Sequence, residues 1–327
     1  MLSWEPVLGQ EHVQEMLQQA LAKGRLSHAY LFSGPEGLGQ EKVLQDLVES
    51  LSCSGNILAP CGECPGCRAH AGGSHPDLHL IAPDGGSIKL EQIRALQHVL
   101  SLQPYLGSYR VCVVQGAEFM TIQAANSFLK MLEEPGERVV FILLCRSPES
   151  LPKTIVSRCQ VLPFRPLAPG ILQDRLEEEG VPPERAKAAA SLAGGRPGEA
   201  RRLLEDENWA ERERISKELA SFPEMDGIRV LALAEEWSQD REKADIFLDM
   251  ALLWYRDLLV LATTERRDLV INCDHLPELA AQAKRYTPGE LLRALGIIEG
   301  CRSKLAGNVN LRLLLEDVFF TLTKEVV

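Results

Sequence analysis

The sequence predicts an α/β domain built on a parallel sheet with helices on both faces, followed by an all-helical remainder. Three observations predict it. Short apolar or β-branched runs alternate with helix-period stretches as far as residue 165. Strand signals fade after Pro163 and Pro166. From Trp209 onward nearly every segment has helical period.

Taken in order, His12–Lys23 reads as an amphipathic helix, and His28–Phe32 as a strand that stops at Ser33-Gly34-Pro35. Glu41–Leu51 is amphipathic again. Further strands are expected at Leu78–Ala82, Val111–Val114, Val139–Leu144 and Gln160–Phe164, with helices at Leu90–Leu102 and Ile122–Leu132. Alternation of this kind implies parallel pairing, because each crossover helix returns the chain to the same end of the sheet. Between 166 and 207, short helical stretches are punctuated by Pro182-Pro183 and Gly194-Gly195-Arg196-Pro197-Gly198, which suits a small helical subdomain. Helices are then expected at Ile228–Trp237, Ala244–Thr263, Leu276–Ala283, Pro288–Leu305 and Leu311–Lys324, with Pro288 suited to a first helical turn. The expected domains are 1–165, 166–207 and 208–327.

Of the 327 residues, 45% are hydrophobic and 25% charged, enough to bury globular cores and against a disordered chain. The longest apolar run, Val139 to Cys145, falls far short of the ~20 residues needed to span a bilayer. The opening MLSWEPVLGQEH has no basic segment followed by an apolar one. No membrane association is expected, and a cytoplasmic location is. Net charge is −11, with 13 Lys and Arg against 16 Asp and Glu in residues 1–165. An autonomous nucleic-acid binder would need a strongly basic domain, so any DNA contact is local or shared with partners.

Four of nine cysteines crowd into fifteen positions as Cys53-x₇-Cys61-x₂-Cys64-x₂-Cys67, a module spanning 53–67. Two-residue spacers let thiolates turn toward one centre, and four thiolates saturate tetrahedral zinc with no position open for catalysis. Structural zinc is the expected occupant. An iron–sulfur cluster and unliganded thiols are the alternatives, with His70 as a substitute ligand ranked below Cys53. The remaining cysteines, including Cys112, read as small core residues, and Cys159 as packed beneath Arg158.

After the first strand comes Gly34-Pro35-Glu36-Gly37-Leu38-Gly39-Gln40-Glu41, which has the spacing of the phosphate loop G-x-x-x-x-G-K-[ST]. Gln40 and Glu41 stand where that loop carries its phosphate-binding Lys and its Mg²⁺-holding hydroxyl. A neutral amide and a carboxylate there remove attraction and add repulsion. Lys42 lies one residue on, rotated by about 100° around the helix. The strand Arg110–Val114 runs into Gln115-Gly116, where a Walker B segment places its acids. On these eight residues alone, glycines that merely make a tight turn remain an open reading.

Later segments weigh against that reading. Ser127-Phe128-Leu129-Lys130-Met131-Leu132-Glu133-Glu134-Pro135 and Ser147 to Ser157-Arg158-Cys159 resemble the "LLK-LEEP" and "SRC" segments of the bacterial clamp-loader AAA+ family of DNA polymerase III. Gly9-Gln10, the His28–Phe32 strand and the cysteine cluster fall in the same order, so the resemblance covers residues 1–165. It implies an AAA+ domain, a helical lid and a C-terminal collar. The degenerate loop Gly34, Gly37, Gly39, Gln40, Glu41 sides with a non-hydrolysing member rather than with the ATP-hydrolysing gamma/tau subunits. So do Cys145 at a sensor position and Gly198 where ATP-binding members carry Arg, with Arg196 two residues away. The resemblance implies a stator without productive ATP binding, in a ring with gamma/tau and delta that loads the sliding clamp on primer–template DNA. It also implies that Arg158 reaches the ATP of a neighbouring subunit. A catalytically active gamma-like ATPase and a zinc-bearing DNA-binding regulator are the competing readings.

Overall fold

A computed structural model of the chain describes residues 4–55, 57–100, 105–106, 109–264, 266–305 and 309–323. It divides into two compact units, one of residues 1–167 with 196–199 and one of 168–195 with 200–327. The segment expected as a separate lid, 166–207, is thus shared between the two.

The first unit contains α1 (Glu11–Ala22), β1 (Ala29–Ser33), α2 (Gln40–Ser52), α3 (Pro65–Ala71), β2 (Leu78–Ile81), α4 (Leu90–Leu100), β3 (Arg110–Val114), α5 (Ile122–Glu133), β4 (Val139–Cys145), α6 (Lys153–Val156) and β5 (Gln160–Pro163). The five strands form one parallel sheet in the order β2-β3-β4-β1-β5. Each expected strand is present within a residue or two. The expected ends at Leu102 and Lys324 lie outside the described residues.

Period-two alternation explains how the sheet is covered on both sides. Ala29 and Leu31 of β1, Cys112 and Val114 of β3, and Phe141 and Leu143 of β4 pack with Ile93, Leu96, Phe128 and Leu132 of α4 and α5. Their neighbours Tyr30, Phe32, Val111, Val113, Val140 and Ile142 pack with Val13, Leu17, Val43 and Leu47 of α1 and α2 on the other face. Because β1, β3 and β4 are apolar at nearly every position, they read as continuous hydrophobic runs. Thr121 starts α5 by accepting a hydrogen bond from the Ala124 N–H, the usual satisfaction of a helix's first free donors.

The second unit holds α7 (Pro169–Glu178), α8 (Pro183–Leu192), α10 (Asp206–Ser221), α11 (Gly227–Trp237), α12 (Arg241–Thr264), α13 (Leu276–Ala283), α14 (Pro288–Leu305) and α15 (Leu311–Leu322). Helix α9 (Pro197–Leu204) has its first turn in the first unit and the rest here. Arg185 of α8 and Arg212 of α10 both stack on Trp209, 4.6 and 4.8 Å from its ring centre, which ties α8 to the C-terminal helices. Phe247 of α12 lies at the centre of this core. Its ring is 5.0 Å from Phe319 and 4.9 Å from Trp237, and Phe222 reaches Phe319 at 5.3 Å. Helix α14 opens on a capping box: the Thr287 N–H donates to Glu290 Oε2 at 2.6 Å and the Glu290 N–H donates to Thr287 Oγ1 at 3.3 Å. Among the described residues no helix is long and apolar enough to cross a membrane.

Phe247 is fully buried and touches three other aromatic rings. Phe247→Ala is therefore expected to lower unfolding free energy by about 3–5 kcal/mol, the range for emptying an aromatic site in a core. Urea denaturation followed by circular dichroism measures it.

Candidate functional site

Parallel strands deliver their C-terminal ends to one edge of the sheet, and the loop after β1 sits there. Gly34 at its start donates its N–H to the Cys145 carbonyl at 3.0 Å, joining the loop to the end of β4. Gly39, at φ +92°, caps α2 in a left-handed conformation, and a Cβ there would lie 2.3 Å from Val7 Cγ1. The Gln40 amide folds back and donates from Nε2 to the Gly34 carbonyl at 3.0 Å and the Pro35 carbonyl at 2.8 Å. Gly198 donates its N–H to the Gly37 carbonyl at 2.9 Å, and a Cβ on Gly198 would meet Gly37 Cα at 3.1 Å. The carbonyls of Gly34, Pro35 and Gly37 are thus satisfied by the protein itself. Glu41 points outward and is exposed.

Lys42 faces away from this role. Its Nζ lies 3.2 Å from Asp46 Oδ1 and 3.4 Å from Glu5 Oε2. Burial works to lower its pKa, but hydrogen bonds and charge from Asp46 and Glu5 outweigh it, and the pKa is raised. Burial likewise raises the Asp46 carboxyl, against the opposing pull of Lys42.

At the end of β3, Gln115 donates its N–H to the Ile81 carbonyl at 2.8 Å, continuing the pairing with β2. Gly116 then turns left-handed at φ +61°. A Cβ at Gly116 would lie 2.8 Å from the Phe119 ring, so the position serves a tight turn. Cys145 ends β4 buried, and burial pushes its thiol up to about 12.

Arg158 lies just beyond α6, with a side chain 36% exposed. One terminal nitrogen donates to the Thr154 carbonyl at 3.0 Å and to Ser157 Oγ at 3.5 Å. The other donates to Glu133 Oε1 at 2.7 Å. Glu133 is the last residue of α5, so this ion pair joins the two segments, 25 residues apart, on which the family resemblance rests. Cys159 beside it is half-buried against the α5 side of the sheet, and burial raises its thiol to about 11.

The cysteines converge. Their four Sγ atoms all lie within 4.8 Å of one another, and Cys53 and Cys61 are 3.8 Å apart. A tetrahedron with metal–sulfur bonds of about 2.3 Å has edges of about 3.8 Å, so the set fits a metal ion such as zinc. Local structure explains the convergence. Cys53 caps the end of α2, and Cys64 caps the start of α3, accepting from the Cys67 N–H at 3.3 Å. That N–H holds the Cys64 thiol down at about 5, whereas burial pushes Cys67 up to about 12. Cys61 Sγ accepts from the Cys64 N–H at 3.3 Å. His70 does not join the cluster, whereas Cys53 does. Helix α3 itself was not legible, because its start depends on Cys64 acting as a cap and on Pro65 in its first turn. A second group, Glu213, Asp274 and His275, comes as close together in the C-terminal unit. Buried Arg212 already lies 3.1 Å from Glu213 and 2.5 Å from Asp274, so this is an ion-pair network.

A parallel sheet with a glycine loop after its first strand, followed by a helical unit, defines a protein of the phosphate-loop α/β class. Two family profiles match, DNA polymerase III, delta subunit, over residues 9–168, and DNA polymerase III, delta subunit, C terminal, over residues 206–324. The delta-prime subunit of DNA polymerase III from Bacillus subtilis is 33% identical over 98% of both chains. Its counterpart from Escherichia coli is 31% identical over 97% of this chain and 94% of its own. The tau subunit of Escherichia coli is 39% identical, but over 48% of this chain and 25% of its own. The chain belongs to the DNA polymerase III delta-prime family.

Gly66 sets how closely α3 approaches the end of α2, since a Cβ there would lie 2.0 Å from the Ser52 carbonyl oxygen. Gly66→Ala is expected to lower stability by about 1–3 kcal/mol, as overpacking does. Thermal unfolding checks it.

Proposed function

We propose that the chain is the stationary, non-hydrolysing subunit of a cytoplasmic clamp loader. Its ring neighbours are gamma/tau and delta subunits, and the assembly opens the sliding clamp and places it on primer–template DNA. Residues 166–207 act as the lid and 208–327 as the collar that holds the ring. ATP does not bind productively in the chain's own loop. Arg158 acts in trans on ATP held by the adjacent gamma/tau subunit. A guanidinium is planar and permanently charged, and arginine fingers accelerate phosphoryl transfer by ~10³–10⁵.

The observation that carries this reading is the contrast between two cations. Lys42, the one beside the loop in sequence, is bound to a buried carboxylate, while Arg158 is held part-exposed at the surface by an exposed one. Gln40 spanning two loop carbonyls, Gly116 committed to a turn and Gly198 pressed on Gly37 support the same view of the loop. Reconstituted clamp loader containing Arg158→Ala is expected to assemble normally and to hydrolyse ATP several-fold more slowly in the presence of primed DNA and clamp. The isolated wild-type chain is expected to show no saturable turnover. An unchanged rate in the complex removes Arg158 from the chemistry, and turnover by the isolated chain that Lys42→Ala abolishes restores the motor reading.

The cysteine cluster is proposed to hold zinc as a structural ion. The insertion is small and part-exposed, so it has little apolar surface of its own to bury, and four thiolates supply the missing stability. Elemental analysis of the purified chain is expected to find about one zinc per chain. Cys64→Ser should lose most of it and melt at lower temperature; full zinc content with unchanged melting would remove the assignment.

A further inference from the structure

Arg158 is fixed by more than its own helix. Contacts with Ser157 Oγ on the preceding residue and with the Thr154 carbonyl four residues back hold a single terminal nitrogen. A planar group held at one corner still swings about its last torsions. The bond from the other terminal nitrogen to Glu133 Oε1, at 2.7 Å, is the contact that fixes the plane. Glu133 is itself anchored, as the final residue of a helix whose Phe128, Met131 and Leu132 are buried in the sheet core.

We propose that Glu133 is a positioning residue for phosphoryl transfer in the neighbouring subunit: its carboxylate orients the Arg158 guanidinium for the incoming polyphosphate. This rests on the trans-acting reading of Arg158 given above. The chemistry suits a guide rather than a lock. Glu133 is 51% and Arg158 36% exposed, so water screens the pair and it opens readily. A guanidinium has five N–H donors, and the three acceptors seen here leave others for phosphate oxygens. A single carboxylate also competes weakly against the several charges of ATP. The orientation is thus set before the neighbour arrives, which is the condition under which a charged group contributes most to a transition state.

The test is a double-mutant cycle in reconstituted clamp loader, with gamma/tau, delta, clamp and primed DNA, reading ATP hydrolysis against ATP concentration. Glu133→Ala is expected to lower kcat about threefold or more with KM for ATP within about twofold, because orientation matters in the transition state rather than in ground-state binding. In the Arg158→Ala background the same substitution is expected to have no further effect. Glu133→Gln keeps an oxygen acceptor and is expected to recover part of the lost kcat. Melting of the free chain is expected to stay within a few degrees of wild type for all three. If Glu133→Ala slows the Arg158→Ala complex further, or acts on KM alone, the carboxylate does not work through Arg158 and the proposal falls. If Arg158→Ala is slow while Glu133→Ala is not, the proposal falls and the role of Arg158 stands. If Arg158→Ala itself leaves the rate unchanged, both fall together.

Discussion

Burial of the sheet on both faces is the constraint from which the functional edge follows. A strand that places Leu31 in one core and Phe32 in the other cannot slip by one residue without exchanging the two. Register is therefore fixed, with Ser33 of β1 opposite Cys145 of β4 and Val114 of β3 opposite Leu143. With the register fixed, the loop at Gly34, the turn at Gly116 and the thiol of Cys145 come to one edge in a set arrangement. In this fold that edge is where a ligand would sit. Here Gln40 and Gly198 hydrogen-bond the loop carbonyls of Gly34, Pro35 and Gly37 along that edge.

Positive charge is distributed to match. A cation beside a phosphate loop attracts nucleotide only when it is not already neutralised, and Lys42 faces a carboxylate that is almost entirely buried. Separating that pair would strand a charge in the interior, which is strongly unfavourable. Arg158 is paired as well, but at the surface, where water can take over from Glu133. The same kind of contact is thus buried at Lys42 and part-exposed at Arg158.

Much of this was legible in the sequence. The strands were readable because their residues are apolar at nearly every position, and the cysteine spacing by itself points to a four-thiol centre. The substitutions at Gln40, Glu41, Gln115 and Gly116 were visible as departures from a motif. What each does instead was not. The two carbonyls that Gln40 reaches depend on how the loop curls, and the pairing of Arg158 with Glu133 spans 25 residues. The Arg212–Asp274 pair spans 62. The Thr287-Pro288-Gly289-Glu290 capping box carried a local signal that could have been read. The prolines and glycines that punctuate 166–207 signal short helices, but not the stacking of Arg185 on Trp209 that ties α8 to the C-terminal core.

Helix α2 begins at Gln40 and is capped at its far end by Cys53, one of the four clustered thiols. At 1.5 Å per residue this is a rod of about 20 Å, moored by an amide at one tip and by sulfur at the other. Sulfur is not the only mooring of the distal end, because Val48 and Leu51 lie in the same sheet core as Val43 and Leu47. Damage to the four-thiol insertion would in this way leave the rod seated on the sheet.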